Sequence, residues 1–209
     1  MIALLLVGTL AQAVIIDRIA IVVNGKRIVK QSDIERDVRA TEFLNRQPLN
    51  LGTAAKKEAA NRLIDQVFIR DEIQTGGYPQ ATFEDADREL DKLKADRFRT
   101  DAALERSLSN YGLTQLDLRY EFRWQLTVLH FVDLRFKPAA VVTDDEIQKY
   151  FDAHRTELER ANPGKTTLEE LRPQIENTLS GEKVNQLFFS WLDEQHKQAK
   201  IQYLEEGLQ

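Results

Sequence analysis

The chain has 209 residues, of which 42% are hydrophobic and 30% charged, a balance typical of a soluble protein with one or two domains. Lys and Arg total 29 against 34 Asp and Glu, and the net charge of -5 argues against binding to nucleic acid. The chain has no cysteine, which excludes disulfides, catalytic thiols and thiolate metal sites.

The first residues have the pattern of a secretion signal. The apolar run Ile2 to Leu10 is followed by Ala11-Gln12-Ala13, the small-x-small pattern that signal peptidases cleave. We predict that residues 1–13 are a signal peptide and that 14–209, one domain, is exported to the periplasm or secreted. A buried first strand or helix is the alternative, since no Lys or Arg precedes the run. No apolar stretch reaches the roughly 20 residues that span a bilayer, which argues against an integral membrane protein.

A β-hairpin is predicted next. Ile and Val dominate from Ile15 to Val23, Asn24-Gly25 interrupts them, and extended character resumes over 26–30. Asn-Gly between two such runs favours a type I′ turn, because both residues tolerate positive φ. A lone hairpin is marginal in water, so we expect it to pair with the one other strand-like segment, 201–204.

The rest of the chain is predicted to be helical, which makes the fold mainly α with a small β element. Capping boxes at Ser32–Glu35, Thr143–Glu146 and Thr167–Glu170 indicate helix starts. Further N-cap candidates are Thr53, Thr82, Thr100 and Thr114. The predicted helices span 33–46, 53–75, 83–97, 101–111, 114–136, 144–160 and 168–199.

Glycine and proline mark the ends of these helices. Gly76-Gly77, Gly112 and Pro138 are stop signals, and Asn162-Pro163-Gly164 predicts a turn between the last two helices. Because Pro173 and Gly181 lie inside the last helical pattern, we expect that helix to start late, bend or break there.

Catalytic and metal-binding motifs are not found. The three histidines, His130, His154 and His196, lack metal-ligand spacing, and we expect each to be solvent-facing or hydrogen-bonded. The sequence has no GxSxG, Walker or GxGxxG pattern, and its acidic run around Asp85 to Asp91 resembles a solvated helix face. We therefore predict no cofactor, no metal and no catalytic residue.

The helix predicted at 114–136 is apolar on more than one face, which indicates contact on two sides. One of the two faces either packs in the core or lines a groove for a partner's apolar segments. If a groove exists, the second stripe is the predicted peptide-binding site. The first stripe consists of Leu116, Tyr120, Trp124, Val128 and Phe131, and the second of Leu118, Phe122, Leu126, Leu129, Val132 and Phe136.

Several segments resemble the SurA family of envelope chaperones. Ile16 to Gly25, followed by Ile28 and Ser32-Asp33-Ile34, is similar to the opening of that family, in which a strand runs through "VN" and a turn into a Ser-Asp helix start. Similar segments continue along the chain: Arg62-Leu63-Ile64-Asp65, Tyr111-Gly112-Leu113-Thr114, Val142 to Ile147 with Tyr150-Phe151, Leu171 to Ile175, and Trp191-Leu192 leading to Ala199-Lys200-Ile201. Members of that family insert a parvulin isomerase domain after "DDEI..YF", and this sequence has no counterpart of it.

The resemblance implies an ATP-independent holdase that shelters unfolded outer-membrane or secreted polypeptides, without isomerase activity. Two alternatives come from other classes. One is a peptidyl-prolyl isomerase, for which the sequence offers no catalytic cluster. The other is an envelope scaffold whose double-faced helix forms a permanent homodimer interface.

Overall fold

A computed structural model describes residues 17–208 of the chain. The predicted signal peptide, 1–13, lies outside the described residues. The fold is mainly α with a small β element, as predicted. In chain order its elements are β1 (Ile19–Val23), β2 (Arg27–Lys30), α1 (Gln31–Leu44), α2 (Thr53–Gly76), α3 (Phe83–Arg97), α4 (Asp101–Tyr111), α5 (Gln115–Phe136), a 3-10 turn (Lys137–Ala139), α6 (Asp144–Ala161), α7 (Leu168–Gln198) and β3 (Ile201–Tyr203).

The three strands form one antiparallel sheet in the order β2-β1-β3, so the C-terminal strand pairs with the hairpin as predicted. Asn24 and Gly25 turn the hairpin with φ of 51° and 67°, the positive values that the Asn-Gly pair predicts. Asn24 also holds β3, because its Oδ1 accepts a hydrogen bond from the backbone N–H of Lys200 at 2.9 Å. The two ends of the described chain are therefore joined in one sheet.

Most predicted helix starts are confirmed. The side chains of Thr82, Thr100, Thr114, Thr143 and Thr167 each accept a hydrogen bond from a backbone N–H in the first turn of the helix that follows. In all but the second of these, an acidic residue three positions on completes a capping box. These reciprocal bonds explain why the observed starts fall within one residue of the predicted ones.

Two predicted caps are wrong. Strand β2 continues into α1 with no loop, so the helix begins at Gln31 and Ser32 lies inside it. The Ser32 hydroxyl donates instead to Asp17 at 2.6 Å, and Asp33 accepts from the backbone N–H of Lys30. Thr53 is the first helical residue of α2, and Gly52 takes the N-cap position.

The last helix has nearly the predicted extent of 168–199, but the late start or break expected at Pro173 and Gly181 is wrong. α7 begins at Leu168 and runs without interruption through Pro173 and Gly181 to Gln198, so it neither starts late nor breaks. Pro173 lies in the second turn and removes only one backbone donor from a helix of 31 residues. Apolar packing along the rest of the helix stabilises the continuous form.

Within the described part of the chain, apolar side chains gather in three clusters. The first joins the sheet to α1, α2 and the C-terminal parts of α5 and α7, with Phe131 fully buried at its centre. The second lies among α1, α3, α4 and the start of α5, around Leu104 and Leu118. The third is confined to α6 and the first part of α7, around Ile147 and Ile175.

Two long helices connect these clusters. α5, about 33 Å long at 1.5 Å per residue, carries Leu118 in the second cluster and Phe131 in the first. α7 carries Ile175 in the third cluster and Leu192 in the first. A helix that contributes side chains to two clusters carries apolar residues on more than one side, which accounts for the two apolar stripes of α5.

No helix within residues 17–208 combines the length and the apolar character that crossing a membrane requires. This agrees with the absence of long apolar stretches from the sequence.

The joint between α6 and α7 predicts a pH effect on stability. Lys183 donates to the Glu146 carboxylate at 2.8 Å, and this bond, with those from Thr143, lowers the pKa of Glu146 to about 2 from an ordinary 4.5. Since the folded pKa is depressed, the stabilisation is complete above about pH 4.5 and is lost as the pH falls toward 2. Thermal unfolding by circular dichroism at pH 6 and pH 3 should show a larger fall in Tm for the wild type than for Glu146→Gln. Equal falls would show that this carboxylate does not contribute.

Candidate functional site

The second stripe of α5 does not form one continuous surface. Leu118 and Phe136 are buried in the second and first clusters, and Phe122 and Val132 are half-buried against the same two clusters. Leu126 is half-buried, and Leu129 is 60% exposed. The peptide-binding role predicted for these six residues stays a prediction, and Leu129 is the member most open to a partner.

The first stripe contributes to a groove instead. Two adjoining cavities, of about 590 and 230 Å³, lie between the hairpin, α2 and α5, and α1 also lines the second. We call the combined depression the α2–α5 groove. The residues that line both cavities are Ile28, Val67, Arg70, Tyr120 and Trp124. None of the six predicted site residues lines either cavity.

Local structure places the apolar residues of this groove. Side chains alternate along β2, so Val29 enters the core while Ile28 faces outward and is 48% exposed. Tyr120 and Trp124 are four residues apart and form a ridge along α5. Tyr120 is 56% exposed, whereas Trp124 is half-buried against the first cluster. Three large apolar groups are thus accessible in one depression.

Arginines border the first cavity. The Arg70 guanidinium lies over the Trp124 ring, 4.5 Å from its centroid, a cation–π arrangement. Arg123 donates to the Ala81 carbonyl at 2.8 Å and lies over the Phe83 ring at 4.8 Å. Arg27 is paired with Asp71. Three arginines against the one carboxylate of Asp71 make the described lining of the first cavity cationic.

Carboxylates border the second cavity. Asp37 accepts two hydrogen bonds from Arg62; its burial raises its pKa, and Arg62 opposes that shift. Glu121 accepts from Gln125 at 2.8 Å. Burial and, less strongly, the charge of Asp37 raise its pKa, while Gln125, Arg62 and Arg70 oppose that shift. Asp33 and Asp117 lie on the same side, both near Arg36. The second cavity is therefore acidic.

The histidines lie away from this groove. The His196 ring bonds Asp65 at 2.6 Å and joins α7 to α2, while His154 contacts Glu157 and His130 is exposed, in agreement with the prediction for all three. Within the described range 17–208, no group of three or more His, Asp or Glu side chains is arranged to hold a metal ion.

Sequence reasoning missed the groove. Tyr120 and Trp124 were visible as members of the first stripe, and their large aromatic groups could have drawn attention to that face. Ile28 and Arg70 gave no such signal, because only the tertiary approach of the hairpin and α2 to α5 brings them to the ridge.

No protein-family model matches the chain, and a comparison with curated proteins finds no match. The resemblance to the SurA family stays a prediction, and the groove is the main basis for the function proposed next.

Proposed function

We propose that this protein is an exported, ATP-independent holdase chaperone that binds unfolded outer-membrane or secreted polypeptides in the α2–α5 groove. The observation that carries the proposal is the exposure of Ile28 and Tyr120 beside the half-buried Trp124 in one depression bordered by polar groups. Exposed apolar groups gathered in a concave surface are typical of sites that bind apolar segments.

The size of the groove is sufficient for holding a chain segment. Its larger cavity, at about 590 Å³, falls within the range of about 300–1,000 Å³ that ligand pockets occupy. Burial of apolar area contributes about 25 cal/mol per Å², so a few hundred Å² gives micromolar binding when polar contacts add to it. Micromolar binding is enough to hold a client that must later be released.

Holding requires no chemistry, which distinguishes it from prolyl isomerisation. An isomerase must lower a barrier of about 20 kcal/mol and needs a dedicated site. We expect the purified chain to leave prolyl cis/trans exchange at the uncatalysed rate.

Aggregation assays test the proposal. Wild-type protein should suppress light scattering when a chemically unfolded client is diluted into buffer. Tyr120→Ser and Ile28→Ser should each weaken client binding about 5- to 30-fold, since loss of an exposed anchor in an interface costs about 1–2 kcal/mol. Val141→Ser, which removes a side chain 67% exposed and outside the groove, is the matched control and should behave as the wild type.

Two results would contradict the proposal. One is full suppression of aggregation by both groove variants, and the other is a wild-type chain that suppresses none. Light scattering of the protein alone at several concentrations checks the scaffold alternative, because a permanent dimer persists on dilution.

A further inference from the structure

Charge is distributed unequally across the α2–α5 groove. The first cavity is bordered by Arg27, Arg70 and Arg123, with Asp71 the only carboxylate among the lining residues within 17–208. The lining of the second cavity contains four carboxylates and two arginines: Asp33, Asp37, Asp117, Glu121, Arg36 and Arg70. The groove thus has a cationic side and an acidic side.

Helix geometry separates these two sides. On α5, residues three and four apart lie on the same face, so Tyr120 and Trp124 form the ridge. Arg123 follows Tyr120 by three positions and lies on one flank of the ridge. Glu121 precedes Trp124 by three and lies on the other flank. A chain that crosses α5 over the ridge therefore meets the cationic flank first and the acidic flank last, or the reverse.

Three charges of the groove are without an ion-pair partner. Among residues 17–208, no carboxylate lies within 4 Å of the Arg70 or Arg123 guanidinium. Over the same range, no Lys or Arg nitrogen lies within 4 Å of the Glu121 carboxylate. Arg70 lies over the ridge and lines both cavities, and its charge also acts on Glu121. Arg123 and Glu121 lie on opposite flanks and are available to a ligand of complementary charge.

We propose that the groove selects polypeptide segments with an acidic residue on one side of an apolar residue and a basic residue on the other. This inference rests on the proposed holdase function and names its client class. The acidic side chain pairs with Arg123, the apolar side chain packs on Tyr120 and Trp124, and the basic side chain pairs with Glu121.

The width of the helix sets the spacing of the three residues. In an extended chain, side chains at i, i+2 and i+4 face the same way and span about 13 Å at 3.3 Å per residue. A helix with its side chains is about 10–12 Å across, which matches that span. The preferred pattern is therefore acidic-x-apolar-x-basic, or the same pattern in reverse order.

Labelled peptides test the pattern by fluorescence anisotropy at low salt. Five probes share a central Phe between serines and differ in the two outer positions: Glu and Lys, Lys and Glu, two Glu, two Lys, or two Gln. One of the two mixed-charge orders should bind about three- to tenfold tighter than the Gln probe, the gain that two exposed ion pairs supply. The gain should vanish at 0.5 M salt because such pairs are screened.

Variants locate the preference in the groove. Arg123→Gln and Glu121→Gln should each reduce the advantage of the favoured probe, whereas Arg155→Gln, which removes an exposed arginine on α6, should leave it intact. Tightest binding of the two-Lys or two-Glu probe, or equal binding of all five, would overturn the inference. If the wild type then still suppresses aggregation, and the Tyr120 and Ile28 variants do so less well, the holdase proposal stands and only the charge pattern is refuted. If the wild type neither suppresses aggregation nor prefers a mixed-charge probe, both the holdase proposal and the charge pattern are overturned.

Discussion

Replacing Phe131 by alanine should lower the free energy of unfolding by about 3–5 kcal/mol, the range found for a fully buried Phe. Phe131 has no exposed surface. Its ring makes edge contacts with Tyr78 at 5.1 Å and Phe136 at 5.7 Å, and a tilted contact with Trp191 at 5.6 Å. The free energy of unfolding falls because apolar burial and aromatic contacts are lost and because a cavity remains. Urea unfolding followed by circular dichroism measures it.

Phe189→Ala is the matched control for this change. Phe189 is 59% exposed, so the same truncation at that position should cost less than about 1 kcal/mol. A Phe131→Ala protein as stable as the control would show that the first cluster is not packed around Phe131.

Deleting residues 200–209 should destabilise the whole fold. The deletion removes β3, which pairs with β1 through Ile201 to Tyr203, and it removes Leu208, which is buried in the first cluster. The remaining hairpin would lack its third strand. We expect a loss of about 3–5 kcal/mol, which for a chain of this size lowers Tm by about 6–20 °C.

Point variants separate the two parts of this effect. Leu208→Ala should cost about 2–4 kcal/mol, whereas Leu204→Ala, at a position 60% exposed, should cost little. An unchanged Tm in the deletion variant would mean that the C-terminal strand is not integral to the fold.

The helices and the hairpin could be predicted because their signals are local. A threonine with an acidic residue three positions later satisfies the backbone donors of its own first turn, so Thr143 and Thr167 mark their helix starts wherever the helix packs. Asn24-Gly25 marks its turn because both residues tolerate positive φ, which is also a local property. Ser32 was wrongly predicted as an N-cap because β2 runs directly into α1, a connection that no local pattern indicates.

The groove could not be predicted because it depends on the tertiary approach of distant segments. The apolar stripes of α5 predicted contact on two sides, and both are used, since Leu118 and Phe131 enter different clusters. The packing of the hairpin and α2 decides which exposed side of α5 borders a groove. That packing places Ile28 and Arg70 beside Trp124 and leaves Leu129 outside both cavities.

Site-specific crosslinking tests the holdase groove most directly. A photoreactive residue is introduced at position 120 in one variant and at position 129 in another, and each is illuminated with an unfolded client. Tyr120 and Leu129 are similarly exposed, at 56% and 60%, and lie nine residues apart on α5, half a turn around the helix from each other. We predict that clients crosslink at position 120 and not at 129. Crosslinking at 129 without crosslinking at 120 would contradict the groove and favour the second stripe.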